Sequence, residues 1–283
     1  MKKEVLMSAL YLLFAAICLG VLEGVTEWLP VSSTGHLILL DRVLGMEGAV
    51  SPAFYAFFLV AIQLGAVLAV VVLYFDRLNP WSKSKSLPER KKTFSLWKRV
   101  LIGVLPAALI GIPLDDFFEE HFYTAGVIAS ALILYGVALI LLERRRGKGA
   151  FRVESVFDLS YRDAVLIGCF QILSLVPGTS RSGSTILGGM LLGVSRSASA
   201  EFSFFMAIPV MLGASLVRGA KFVLAGGGMS GGEIPLLLIG MLTAFFVSLI
   251  TIRALVNFVK RHSFKVFGVY RIFLGILVLL FHP

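Results

Sequence analysis

Apolar residues in this chain fall into long unbroken runs, roughly residues 5–22, 52–75, 97–113, 123–142, 161–176, 198–217, 234–256 and 265–281. None alternates at the period of a barrel strand, and most approach the about 20 residues needed to cross about 30 Å of hydrocarbon. The pattern predicts an all-α polytopic membrane protein. Charge in the connections predicts its orientation, because short basic loops stay in the cytoplasm. The connection after the second run carries Arg77, Lys83, Lys85, Arg90, Lys91, Lys92, Lys98 and Arg99, and the one after the fourth carries Arg144, Arg145, Arg146, Lys148 and Arg152. Both go inside. The turn with Asp115, Asp116, Glu119 and Glu120 then lies outside, the basic stretch 253–265 inside, and the glycine-rich loop 226–233 outside.

With those anchors, residues 161–196 must enter from the cytoplasm and return to it, and residues 5–50 must do the same from outside. The reading is six transmembrane helices plus two re-entrant helical hairpins, with both termini outside against the weak pull of Lys2 and Lys3. The first run continues directly into EGVTEWLP without a small-residue cleavage site, so it reads as part of the fold and not as a leader.

The chain also repeats itself. EWLPVSSTGH matches SLVPGTSRSG, with Pro30, Ser32 and Ser33 opposite Pro177, Thr179 and Ser180 and one residue inserted before the next glycine. AIQLGA at 61–66 matches AIPVMLGA at 207–214 more loosely, and LIGVLPA at 101–107 matches LIGMLTA at 238–244. Each half, about 1–145 and about 155–283, holds one hairpin and three spans. Three is odd, so the second half sits upside down relative to the first: an inverted-topology internal repeat, in which two broken elements meet near the bilayer midplane.

Composition agrees with lipid as the solvent. Of 283 residues 58% are hydrophobic and 15% charged, with a mean hydropathy of +0.90, which excludes an ordinary soluble domain and makes 1–283 a single integral membrane domain. The net charge of +9 does not indicate nucleic acid, because the basic residues sit in short runs without interleaved aromatics. They read as topology signals that also touch anionic lipid heads. Cys18 and Cys169 lie in apolar runs without metal or disulfide spacing and read as small buried hydrophobes.

The hairpins hold what the lipid interior should exclude. Glu23, Thr26, Glu27, Ser32, Ser33, Thr34 and His36 lie between apolar flanks, and a charge at the bilayer centre costs about 2.5 to 3.5 kcal/mol even on insertion scales. Glu23 and Glu27 share a helix face four residues apart, where like charges repel. A divalent cation would relieve them, Mg²⁺ held by two carboxylates plus waters and phosphate, or Ca²⁺ in a more flexible site. Pro30 breaks the helix, and the small residues after it leave N–H groups free for an anion. Pro177 and Gly178 repeat the device before Thr179, Ser180, Arg181, Ser182, Gly183, Ser184 and Thr185, and the Arg181 fork suits phosphate oxygens. A carboxylate pair with a metal, a hydroxyl nucleophile, a histidine and an arginine together form the parts of a phosphoryl-transfer enzyme.

Other polar positions carry less. Thr26, Ser184 and Ser215 read as hydroxyls that bond a carbonyl or a neighbouring helix, and Gln63 and Glu201 as packing bonds. The acidic turn reads as solvated, and Gly65, Gly103, Gly213 and Gly240 as points of close helix contact.

EGVTEWLPVSSTGH and PGTSRSGSTILGG resemble the two signature regions of the bacterial undecaprenyl-pyrophosphate phosphatase family, also called bacitracin-resistance proteins, and the likeness extends through AIQLGAVLAVVV and EFSFFMAIP. The resemblance implies removal of the terminal phosphate of undecaprenyl pyrophosphate, which recycles the lipid carrier for peptidoglycan. It also implies a divalent metal and an active site opening to the outer face of the plasma membrane. On this chain the family's acidic motif falls on Glu23 and Glu27, its catalytic hydroxyl on Ser33, its histidine on His36 and its phosphate-binding arginine on Arg181. Ser180, Ser182 and Thr185 match hydroxyls around that arginine, and Ser32, Thr34 and Gly183 complete the expected substrate contacts. Glu27 or His36 is expected to take the Ser33 proton, with His36 as nucleophile the alternative route. A flippase of the lipid phosphate is the competing function. The expected partners are the lipid substrate and membrane lipids, with a homodimer left open.

Overall fold

The computed structural model describes residues 2–146, 151–224 and 228–281. Lys148, the start of the glycine-rich loop at Gly226 and the extreme termini, whose side of the membrane the sequence predicts, lie outside the described residues. Twelve α-helices are found among those described: α1 (Lys2–Thr26), α2 (Ser33–Leu44), α3 (Pro52–Leu73), α4 (Phe75–Leu78), α5 (Leu87–Gly111), α6 (Asp115–Phe122), α7 (Ala125–Arg146), α8 (Tyr161–Ile172), α9 (Arg181–Leu191), α10 (Arg196–Leu224), α11 (Glu233–Arg261) and α12 (Lys265–Phe281). Side-chain caps mark the starts of some of them. Ser51 accepts the Phe54 N–H ahead of Pro52, and Ser160 with Asp163 closes a reciprocal box at the head of α8.

The only β pairing among the described residues is an isolated bridge between Val153 and Val194, so the all-α class holds. Six helices are long and apolar enough to cross a membrane, lying in α1, α3, α5, α7, α10 and α11. The number agrees with the sequence reading; the membership differs. The 18-residue stretch Ala9–Thr26 qualifies although it was assigned to a hairpin, because its polar residues gather at one end. Helix α12 is left out with only 17 residues.

Helix α1 packs on α11, α11 on α3, α3 on α10, α10 on α5, α5 on α8, and α7 on α12. Exchanging the halves, so that α1, α2, α3, α5 and α7 stand for α8, α9, α10, α11 and α12, leaves these pairings in place. Two glycines that match in the repeated LIG segments, Gly103 and Gly240, each lie under a close helix crossing. A Cβ on Gly20 of α1 would lie 2.6 Å from the Gly240 carbonyl of α11, and one on Gly168 of α8 would collide with the Gly103 carbonyl of α5. Gly65 is likewise closed by Met241, whereas Gly213 faces open space and packs against nothing.

Phe54, Phe58, Phe202, Phe204 and Phe205 fill the interior, while Leu109, Leu216, Phe246 and Ile250 are exposed, as expected where lipid covers the outer face. Cys169 is exposed in the same way, contrary to its reading as buried, because an apolar run marks lipid contact as readily as core. Glu201 forms an ion pair with Arg77 at 2.8 Å. The acidic turn is paired too: Arg218 reaches Glu119 at 2.7 Å, and Lys221 reaches Asp116 at 2.7 Å and holds that carboxyl below the usual carboxylate range.

Candidate active site

The two helix breaks meet. Helix α1 ends at Thr26, and Glu27 lies in the turn before Pro30, where its carboxylate joins both loops. Ser33 Oγ donates to Glu27 Oε2 at 3.0 Å. Arg181 donates to Glu27 Oε1 from Nη2 at 3.0 Å and from Nε at 3.3 Å. The other arm of the guanidinium is fixed by Ser203 of α10, whose carbonyl oxygen lies 2.7 Å from Nη1. Its carbon centre stands 6.0 Å over the Trp28 ring. With its side chain only 10% exposed, Arg181 does not point into bulk water.

Glu23 lies one turn away and is fully buried, and neither of its carboxylate oxygens has a hydrogen-bond donor. Its nearest ionisable neighbour is Glu27 itself. Two further buried polar atoms of the same break are also without partners, the Trp28 indole N–H and the Ser32 hydroxyl. Native interiors rarely leave such groups unsatisfied, and three such residues, Glu23 among them, within one short segment indicate a place built for a ligand, water or ion.

Each loop has the same backbone device. Ser32 and Ser180 adopt positive φ values of 72° and 70°, the only non-glycine residues to do so among those described, and each directly precedes a helix. Such a conformation costs of order 1–3 kcal/mol and persists where the surroundings hold it. The match shifts the internal alignment by one residue: Ser32 corresponds to Ser180, Ser33 to Arg181 and Gly35 to Gly183, and the inserted residue falls between Pro177 and Ser180. The hydroxyl and the guanidinium therefore occupy the same first helical position in α2 and α9.

A match to the family described as Bacitracin resistance protein BacA spans residues 16–277, which includes both loops. The chain belongs to that family. Its relatives include proteins named undecaprenyl-diphosphatase from Streptococcus mutans serotype c (52% identical over 94% of each chain), Limosilactobacillus fermentum (50%, covering 93% of this chain and 95% of the relative) and Enterococcus faecalis (48%, covering 94% and 96%). Membership is thus carried by the whole length and by both helix breaks.

Within this family member, the residues singled out from sequence divide by what they touch. Glu27, Ser33 and Arg181 form one hydrogen-bonded group, with the unpartnered Glu23 one helical turn before Glu27. His36 lies apart from it. Its Nδ1 is 2.6 Å from the Ser32 carbonyl and must donate there, which leaves Nε2 to accept from the Tyr270 hydroxyl at 2.6 Å. Among the expected substrate contacts, Ser182 donates to the Glu27 carbonyl at 3.0 Å and Thr185 to the Ser203 hydroxyl at 2.7 Å, so both hydroxyls are engaged within the protein. Ser180 accepts the Gly183 N–H at 3.1 Å. The Ser32 and Thr34 hydroxyls have no protein partner among the described residues, and the N–H groups of the first turn of α2 have none within their helix. Of the hydroxyls read as packing, Thr26 bonds the Leu22 carbonyl at 2.7 Å and Ser215 the Val60 carbonyl at 3.3 Å.

Sequence reading missed Ser203, Tyr270 and Arg271. Arg271 is wholly buried in α12 and donates to carbonyls of both loops, Pro30 at 3.1 Å and Gly178 at 2.8 Å. A signal was present: an arginine in the middle of an apolar run is as costly there as Glu23 is in its own.

Proposed function

We propose that this chain hydrolyses undecaprenyl pyrophosphate to undecaprenyl phosphate and inorganic phosphate on the outer face of the bacterial plasma membrane, with Ser33 as nucleophile and Glu27 as its base. The hydrogen bond from Ser33 Oγ to Glu27 Oε2 carries the assignment. Family membership supports the lipid pyrophosphate as substrate and a site opening outward, and the basic-loop bias supports an outward acidic turn. The packing that survives exchange of the two halves supports an inverted repeat with two re-entrant hairpins meeting at the midplane.

In this reading the pyrophosphate head sits against the open N–H groups of α2, the Ser32 and Thr34 hydroxyls and the Arg181 fork, with the lipid tail leaving between helices. Ser33 oxygen attacks the terminal phosphorus while its proton passes to Glu27. The bond from that phosphorus to the bridging oxygen breaks, and undecaprenyl phosphate departs. Glu27 gives that proton to the departing bridging oxygen, then takes one from a water whose oxygen attacks the phosphoserine, and returns it to the serine oxygen as inorganic phosphate leaves. Arg181 balances charge that develops on the phosphoryl oxygens. His36 has both ring nitrogens engaged and serves to hold the Ser32 carbonyl and α12, which favours Ser33 over it as nucleophile.

The residues present fit a divalent cation. The two unpartnered Glu23 oxygens, with Glu27 adjacent, form a hard-oxygen donor set suited to Mg²⁺ or Ca²⁺. When bound, such an ion supplies positive charge against pyrophosphate oxygens. The side chains these steps use, Ser33, Glu27 and Arg181, all come from one chain.

A lipid-phosphate flippase is the second reading, favoured by the exchange-symmetric packing. It would use Arg181 without needing the Ser33–Glu27 bond. Phosphate release from undecaprenyl and shorter prenyl pyrophosphates by purified protein, with and without chelator, separates the two. Full release by Ser33→Ala would remove the serine from its role, and absence of release from the parent would leave only transport.

A further inference from the structure

Arg271 occupies a position that the hydrolytic steps do not use. It is 0% exposed in α12 between Gly268 and Gly275, whose missing side chains bring α12 against α7; a Cβ on Gly268 would lie 2.7 Å from the Gly136 carbonyl. Among the described residues no carboxylate pairs with it. Its partners are carbonyl oxygens: Pro30 at 3.1 Å from Nη1, Gly178 at 2.8 Å and Thr179 at 3.0 Å from Nη2, and Leu132 at 3.5 Å from Nε. The Tyr135 ring closes one side, with its centre 5.5 Å from the guanidinium carbon. A buried cation without an anion is expensive unless something negative arrives to share its field.

Three of those carbonyls belong to the two loops, so one planar group ties the residue that breaks the first hairpin to the turn that opens the second. A trans peptide turns the next N–H away from a carbonyl so held, and Thr179 is followed directly by the strained Ser180. We propose that Arg271 is a positioning residue for the reaction. It locks the loop of Ser33 against the loop of Arg181 at fixed spacing, and it places a permanent positive charge behind the phosphate site. This role rests on the phosphatase reading. It predicts that lysine, which keeps the charge but lacks the fork to reach both loops at once, is a poor substitute.

The test measures phosphate release from undecaprenyl pyrophosphate by the full chain in detergent, with melting followed on the same samples. Parent turnover establishes the phosphatase reading separately. Arg271→Lys should melt close to the parent yet lose about 10²-fold in kcat with KM changed less than about threefold, the signature of misplaced groups acting in the transition state. Arg271→Met should lose more. Gly178→Ala tests the tether without touching the arginine: a Cβ there meets the Ile128 carbonyl at 2.5 Å on a φ of 91°, so the backbone around the Gly178 carbonyl that Arg271 holds must shift. It should lose about tenfold or more in kcat, and it decides the matter if the arginine variants do not fold. Turnover within threefold of the parent in folded Arg271→Lys, or in Gly178→Ala, overturns the proposal.

Discussion

The two helix breaks, the tips of the proposed hairpins, share a backbone conformation and differ in what they do with it. Ser32 and Ser180 have the same positive φ within 2°, and both head a helix. In the second tip the device is closed on itself: Ser180 accepts the Gly183 N–H, and Thr185 and Arg181 anchor α9 to Ser203 of α10. No comparable packing joins α2 to α3. In the first tip Ser32 caps nothing, its hydroxyl is orphaned, and the first-turn N–H groups stay open. One of the two turns is bonded into the scaffold, and the other leaves its polar groups unpartnered. The guanidinium crosses from the capped tip to the uncapped one and meets Glu27 there.

The largest effects should fall on the uncapped tip. Ser33→Ala and Glu27→Gln each remove one end of the same hydrogen bond and should lower kcat about 10³-fold or more. Because they act as a unit, the double variant should be little worse than either single one. Measured phosphate release that multiplies the two losses would mean that serine and carboxylate work on different steps.

That bond could not be read from the sequence, although both of its ends could. Spacing put Glu23 and Glu27 on one helix face, and the prolines announced the breaks. Yet Glu27 lies past the last helical residue, so it reaches Ser33 and Arg181 while Glu23 remains in α1. The hydroxyls around Arg181 were legible as a motif but not by role, because a serine that caps and a serine left open are identical letters. His36 looked catalytic as a polar residue among apolar ones, and only the positions of Ser32 and Tyr270 show both its nitrogens engaged. Arg271 was passed over because α12 already made sense as a span.

The link between the tips is the next place to break. Arg181→Lys retains the charge but not the paired contacts to Glu27 or the reach to Ser203, and kcat should fall about 10²- to 10³-fold. Chelation should act on the uncapped tip alone. A parent stripped of divalent ions should lose about 10²-fold and recover with Mg²⁺ or Ca²⁺, and Glu23→Gln should need far more of either ion to recover. Unchanged turnover in chelator would leave the two orphaned Glu23 oxygens for water.

The smallest effects carry the sharpest contrast. Ser180→Ala deletes the only side-chain cap of α9 and should destabilise the protein by about 1 kcal/mol, visible as a lower melting temperature with kcat reduced only slightly. Ser32→Ala deletes a hydroxyl that bonds nothing in the protein, so melting should not move, but about tenfold of kcat/KM should be lost where that hydroxyl would meet substrate. Stability and turnover are thus expected to respond to opposite members of the pair. If Ser32→Ala instead melted lower and turned over normally, the first tip would be as closed as the second, and its orphaned groups would be a matter of local packing and not of catalysis.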